Sequence, residues 1–208
     1  GGLTPTPVPV LPRPPGLVLV DGRAALDERT GTVATTPAEV EAVLTQVRDR
    51  LRRGARSLGV LTFSDAHAAA VTTALATAAA GDAELAAGLD ALAEPLLVRT
   101  ARRWQGEGRD EVVVSLGYGR TPQGRPTTRL GEVGGPVGDR LVRLAATRAR
   151  RWAVWVSALS AKDVASAEGE RAGIEALRGV LDELAGRTAC AKLAEMGIRC
   201  SVDAVSLA

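Results

Sequence analysis

Lysine is nearly absent from this 208-residue chain. Of its 26 cationic residues only Lys162 and Lys192 are lysines, and the other 24 are arginines. Each lysine follows an alanine, so no Gly-Lys-Ser/Thr phosphate loop can be written. In that loop glycine lets backbone N–H groups close on phosphates while the lysine reaches the terminal ones. Histidine (His67) and cysteine (Cys190 and Cys200) are too scarce for a four-ligand zinc cluster, and no metal site on nitrogen or sulfur is expected. Two cysteines suggest no disulfide framework, and no charged n-region followed by an apolar stretch opens the sequence, so the cytoplasm is the expected compartment. No run of about 18 apolar residues occurs, which argues against a membrane span. Aromatics are 2% of residues, a poor supply for base-stacking platforms.

What is present is 46% hydrophobic side chains with a net charge of +2, enough for one domain with a packed core. Six of eleven prolines fall in residues 1–15, where locked φ and missing donors favour an extended linker. Residues 16–21, 57–63, 94–100, 111–118 and 152–159 are apolar runs suited to strands, several of them nearly continuous, as in a parallel sheet covered on both faces. Helices are expected between them. One starts at Thr36 and Pro37 and runs to about Arg53. An alanine-rich one follows Ser64 to about Ala80, and a shorter one covers Ala83–Leu92. Others run over about 137–150 and 166–184, with one more helix in the tail. Residues 119–136 form a Gly-, Pro- and Thr-rich loop. The alternation predicts an α/β fold with a mostly parallel sheet, whose useful residues should lie just after strands.

Charge is unevenly spread. Residues 99–151 contain twelve arginines against five acids, a local excess of seven. A surface meeting phosphate has this composition, and so does a solvated arginine-rich loop.

Three segments carry more than composition: SLGVLTFSDAHAAA (57–70), VRTARRWQGEGRDEVVVSLGY (98–118) and RLVRLAATRARRWAVWV (140–156). Their order and wording resemble the last motifs of superfamily 1 helicases, with Gln-Gly-x-Glu-x-Asp before one strand and Ala-x-Thr-Arg-Ala-Arg before another. The stretch SLGYGRTPQGR is similar to large bacterial helicase-like proteins that carry an endonuclease-like domain at the C-terminus. The resemblance covers about residues 16–160 and implies the second RecA-like motor domain, lacking its own phosphate loop. Residues 1–15 would be a linker, and 161–208 a helical extension or the start of a further domain.

The resemblance implies that Arg148 is the arginine finger reaching a γ-phosphate across the cleft between two motor domains. Read from the residues alone, Arg148 lies near a helix end on an apolar face. It is then a phosphate ligand, a snorkelling arginine or a salt-bridge partner. Gln105, Gly106 and Glu107 would lie beside the nucleotide together with Arg148 and Arg150. Thr62, Phe63, Arg103, Tyr118 and Arg120 would face single-stranded DNA or RNA. The implied cofactor is ATP with Mg2+, held at the interface with an N-terminal RecA-like domain of the same polypeptide and not by this chain alone.

The chain departs from the family pattern at Gly108, where the motif's glutamate belongs, at Arg103-Trp104, where a small hydroxyl residue is usual, and at Arg143 in place of asparagine. A degenerate, non-catalytic nucleic-acid-binding or scaffold module is the alternative. Ser64-Asp65-x-His67 is read as helix capping with a surface or packed histidine, not as a hydrolytic triad. The glycines at 117, 119 and 124 have the wrong spacing for a dinucleotide fingerprint.

Overall fold

A computed structural model of the chain describes residues 16–26, 33–104, 106 and 108–195. The Pro-rich arm over 1–15, Gln105, Glu107 and the tail beyond 195 lie outside the described residues. In chain order the elements begin with β1 (Gly16–Leu19), β2 (Ala25–Leu26), β3 (Val33–Thr35) and α1 (Pro37–Arg52). β4 (Leu58–Thr62), α2 (Asp65–Gly81), α3 (Ala83–Asp90) and β5 (Leu97–Thr100) follow. β6 (Arg109–Ser115), α4 (Gly138–Ala146), β7 (Ala149–Ser157), α5 (Ala161–Val164) and α6 (Arg171–Glu195) complete the series.

All five expected strands form, and they pair in the order β1-β7-β6-β4-β5 with every pairing parallel. Successive side chains on a strand point to opposite faces, and the sheet uses this to fill two cores. Leu58, Val60, Val113, Val154 and Val156 face α1, α2 and α3, meeting Val43, Val47, Val71 and Leu85. Leu61, Val112, Val114 and Trp155 face α4 and α6, meeting Val142, Leu177 and Leu181. Because both faces are covered, these strands need no polar alternation, which is why they read as continuous apolar runs. The result is an α/β fold with a parallel sheet and helices on both faces, consistent with a RecA-like domain. Among the described residues no helix is long and apolar enough to cross a membrane.

Three features differ from expectation. First, α4 stops at Ala146 instead of reaching Arg150. Thr147 Oγ1 donates to the Arg143 and Leu144 carbonyls at 3.1 and 3.2 Å, and pairing with β6 takes the chain into β7 from Ala149. Arg148 therefore sits in the turn between helix and strand. Second, α6 runs unbroken through the boundary expected near Leu184, and its Leu177, Leu181 and Leu184 lie in the same core as β6 and β7; the rest of the expected tail helix lies outside the described residues. Cys190, on this helix, is disulfide-bonded, which the cysteine count did not foresee. Third, β2 and β3 form a small antiparallel pair that no alternation announced.

Gly59 shows how closely the second core is packed. A Cβ there would stand 2.5 Å from Cη2 of Trp104, an indole that is 2% exposed. The sheet can accept that ring only where β4 has no side chain. Gly59→Ala should therefore cost about 1–3 kcal/mol through overpacking, measured by urea unfolding. An unchanged midpoint would show that Trp104 is free to move.

Candidate functional site

Every strand of a parallel sheet points the same way, so the loops divide into those at the amino ends and those at the carboxyl ends. Of the residues assigned to nucleotide, Gly106, Arg148 and Arg150 lie at the amino ends, and Gln105 and Glu107 lie outside the described residues. The Arg109 N–H donates to the Arg148 carbonyl at 3.2 Å, which joins the loop before β6 to the turn before β7. Gly106, at φ +71°, sits in this loop, and a Cβ on Gly108 would be 3.7 Å from the Arg148 carbonyl and the Arg150 Cγ. Arg148 is half-buried, and its Nε is enclosed without a hydrogen-bond acceptor among the described residues. Arg150 differs. Its Nε donates to Asp110 Oδ1 at 2.9 Å, with Glu94 Oε1 3.9 Å from its Nη2.

The expectation that useful residues follow strands is thus corrected for this group. Gly106 and Arg148 precede the strands that position them, and Arg150 is the second residue of β7. They lie about 20 Å from the carboxyl ends, judged from the seven-residue span of β6 at about 3.3 Å per residue.

The carboxyl ends hold the residues assigned to nucleic acid, in differing states. Thr62 is wholly buried and its hydroxyl donates to the Ser64 carbonyl at 3.2 Å. Phe63 is 1% exposed and packs on Trp155 with ring centroids 6.3 Å apart. Thr62 presents no surface to a nucleic-acid strand and Phe63 only the trace of its ring that borders the cleft over the ends of β4 and β5; both are core because the second layer covers the end of β4. Arg120 makes two hydrogen bonds to Asp163, at 2.8 and 3.0 Å, tying the loop after β6 to the capping box of α5. Arg103 is exposed and pairs with Asp65 at 3.1 Å. Tyr118 is buried, with its hydroxyl unpartnered among the described residues, and burial pushes its ionisation up.

Phe63, Arg103 and Tyr118 come together on a cleft of about 1410 Å³ that opens over the ends of β4 and β5. Leu130 joins them in the floor. Arg102, Arg125 and Arg129 add cationic groups to the lining, and Asp65, Glu132 and Glu168 add acids. The positive excess of residues 99–151 is reduced by the fold. Among the described residues six of its twelve arginines are ion-paired, and four of those pairs use acids from outside the segment: Asp65, Glu94, Asp163 and Glu168.

Sequence reasoning missed a buried polar network next to this cleft. Glu39, in the first turn of α1, is wholly buried. Its Oε2 accepts from the Ser115 hydroxyl at 2.7 Å and the Gly117 N–H at 2.8 Å, and its Oε1 from the Ala158 N–H at 2.8 Å. His67 completes the chain, with Nε2 2.8 Å from Ser115 Oγ and Nδ1 2.7 Å from Thr35 Oγ1. When Glu39 is ionised, Ser115 donates to it and accepts from His67 Nε2–H, which leaves Nδ1 to accept from Thr35. Gly117 is left-handed at φ +76°, and a Cβ there would meet the imidazole at 2.6 Å. The only sequence signal was an acid in a helix's first turn, which commonly complements the dipole at the surface.

Burial pushes the Glu39 carboxyl up to about 7, although its three donors pull the other way, and burial pushes His67 down to about 4. Folded Glu39 keeps a proton that the unfolded chain releases near 4.5. Its contribution favours folding at low pH and fades as pH rises toward 7. Folded His67 refuses a proton that the unfolded chain takes up below 6.5, so its contribution fades as pH falls toward 4. Between pH 4.5 and 6.5 the two slopes oppose each other. Glu39→Gln should uncover the histidine slope, with stability rising over that window by up to about 1.4 kcal/mol per pH unit. Urea unfolding at a series of pH values tests this, and parallel profiles for the two proteins would refute it.

No protein-family model matches the chain. No curated protein matches it either. Among solved structures it is similar to the C-terminal domain of a possible DNA helicase from Lactobacillus plantarum, at 17% identity and a TM-score of 0.40, over 74% of this chain and 76% of that one.

Proposed function

We propose that this chain is the second RecA-like motor domain of an ATP-dependent superfamily 1 nucleic-acid helicase or translocase, and that Arg148 is its arginine finger. The observation that carries the reading is the half-buried Arg148, whose side-chain Nε lacks an acceptor among the described residues and whose backbone carbonyl lies 3.7 Å from where a Cβ on Gly108 would stand. A buried charged donor left without an acceptor is costly, and a phosphate oxygen offered across a domain interface is an acceptor of matching charge and geometry. The Arg109 N–H bond to the Arg148 carbonyl ties the finger's backbone to the start of β6, directly after Gly108, so a ligand at one would meet the other.

In this reading ATP with Mg2+ supplies the transferring phosphoryl group and is held mainly by an N-terminal RecA-like domain of the same polypeptide. That domain contributes the phosphate loop that this sequence lacks. Arg148 provides fixed positive charge to the phosphoryl oxygens. Arg150 could add to it only by leaving Asp110. Gly106 keeps the loop close, since its left-handed backbone spares the approach a side chain. The opposite end would carry single-stranded DNA or RNA over the cleft, with Arg103 as an exposed cation and Tyr118 in the floor.

The alternative is a degenerate module that binds nucleic acid or a partner domain without taking part in ATP turnover. Gly108 in place of the motif's glutamate, and the neutralisation of Arg150 by Asp110, favour it. Arg148→Ala in a polypeptide joining this chain to its motor partner separates the two. The motor reading predicts ATP turnover reduced by about 10³-fold or more, with oligonucleotide affinity nearly unchanged. Equal loss of both, or no loss of turnover, favours the module. The isolated chain should show no steady-state ATP hydrolysis.

A further inference from the structure

The cleft at the carboxyl ends is lined by three arginine–carboxylate pairs. Arg102 Nη1 lies 2.7 Å from Glu132 Oε1, Arg103 Nη2 lies 3.1 Å from Asp65 Oδ2, and Arg129 Nε lies 4.0 Å from Glu168 Oε2. The acids come from three separate parts of the chain: the first residue of α2, the loop before α4 and the segment before α6. All six side chains reach solvent, at 36–83% exposure, and such pairs are weak and exchange readily. A guanidinium offers the same planar fork to carboxylate and to phosphate. Each acid therefore occupies the place a phosphate oxygen would take. Among the described residues Arg125 makes no ion pair, and the buried Tyr118 hydroxyl beneath the rim has no hydrogen-bond partner.

We propose that Asp65, Glu132 and Glu168 are built-in competitors of the phosphate chain, and that they set both the affinity and the salt dependence of the cleft. This rests on the reading of the cleft as a single-strand surface. Binding to a free arginine releases condensed counterions from the nucleic acid, which makes affinity steeply salt-dependent. Binding to a paired arginine must also displace a carboxylate, which remains nearby as a like charge to the incoming phosphate. The wild-type cleft then binds a strand more weakly, and with a shallower salt slope, than its arginine count implies. A single anion releases no condensed counterions to offset the displaced acids, so the rim selects for phosphate chains over isolated anions.

The test uses the full 208-residue chain and a fluorescein-labelled oligothymidylate of about 16 nucleotides, with anisotropy read from about 50 to about 200 mM salt. Glu132→Gln and Asp65→Asn should each raise affinity by about 3-fold. Each should also steepen the slope of log affinity against log salt by about 0.7. Adding Arg102→Gln to Glu132→Gln should abolish that gain. If the wild-type chain binds and the variants match it in affinity and slope, the competitor role is wrong while the single-strand reading stands. A loss of affinity in the variants would also overturn the role, because the acids would then be orienting the arginines. If neither the wild-type chain nor the Glu132→Gln and Asp65→Asn variants bind, the single-strand reading itself fails. Circular dichroism and melting temperature, expected unchanged for these exposed positions, exclude misfolding as the cause.

Discussion

The buried Glu39 side chain holds the carboxyl end of the sheet together. Three donors converge on it from the ends of β6 and β7: the Ser115 hydroxyl and the N–H groups of Gly117 and Ala158. Thr36, one residue before the helix that carries Glu39, adds a hydrogen bond from its hydroxyl to the Gly117 carbonyl. In a parallel sheet the chain must leave each strand with its last backbone groups unpaired, and burying such groups without partners is costly. One carboxylate at the start of α1 satisfies donors from two strands at once. The direction of the loop leading to Tyr118 and the cleft follows from that anchoring.

A second consequence of the parallel sheet is that its two ends can carry different chemistry. β6 begins beside Gly108 and Arg148 and runs toward Gly117 and Tyr118, so a single strand connects the arginine turn to the cleft. Its residues Val112, Val113 and Val114 are fully buried between the two helical layers. A displacement of the turn along the strand axis would thus reach the cleft through a packed element with little room to yield. This is the geometry a domain needs if it is to relate a nucleotide on one side to a strand of nucleic acid on the other.

The electrostatics show the fold revising the sequence. The run of arginines from 99 to 151 looks like a strongly positive face, yet several of its members are held by acids brought in from elsewhere. Buried or half-buried pairs such as Arg50–Glu111, with Arg50 also stacked over Trp152, serve packing. The exposed pairs around the cleft differ, since solvent reaches both partners and exchange costs little. Charge counted along a chain does not separate these two kinds of arginine.

The sequence by itself determined the fold class and most of the elements. Continuous apolar runs announced doubly covered strands, Pro37 and Ser64 marked helix starts, and the absence of any Gly-Lys-Ser/Thr excluded a phosphate loop. It read Arg148 as the near-terminal residue of a helix reaching Arg150, and the structure moved it into the turn before β7. Where α4 stops was decided by Thr147 turning its hydroxyl back on the helix and by β6 pairing with β7. That Thr62 and Phe63 are core, that Arg120 and Arg150 are occupied, and that Glu39, His67 and Ser115 form one network was decided only by tertiary structure. Each of those facts depends on partners between roughly thirty and one hundred and twenty residues away in the chain. Periodicity and capping act over a few residues, whereas burial and ion pairing depend on which distant segments the sheet brings side by side.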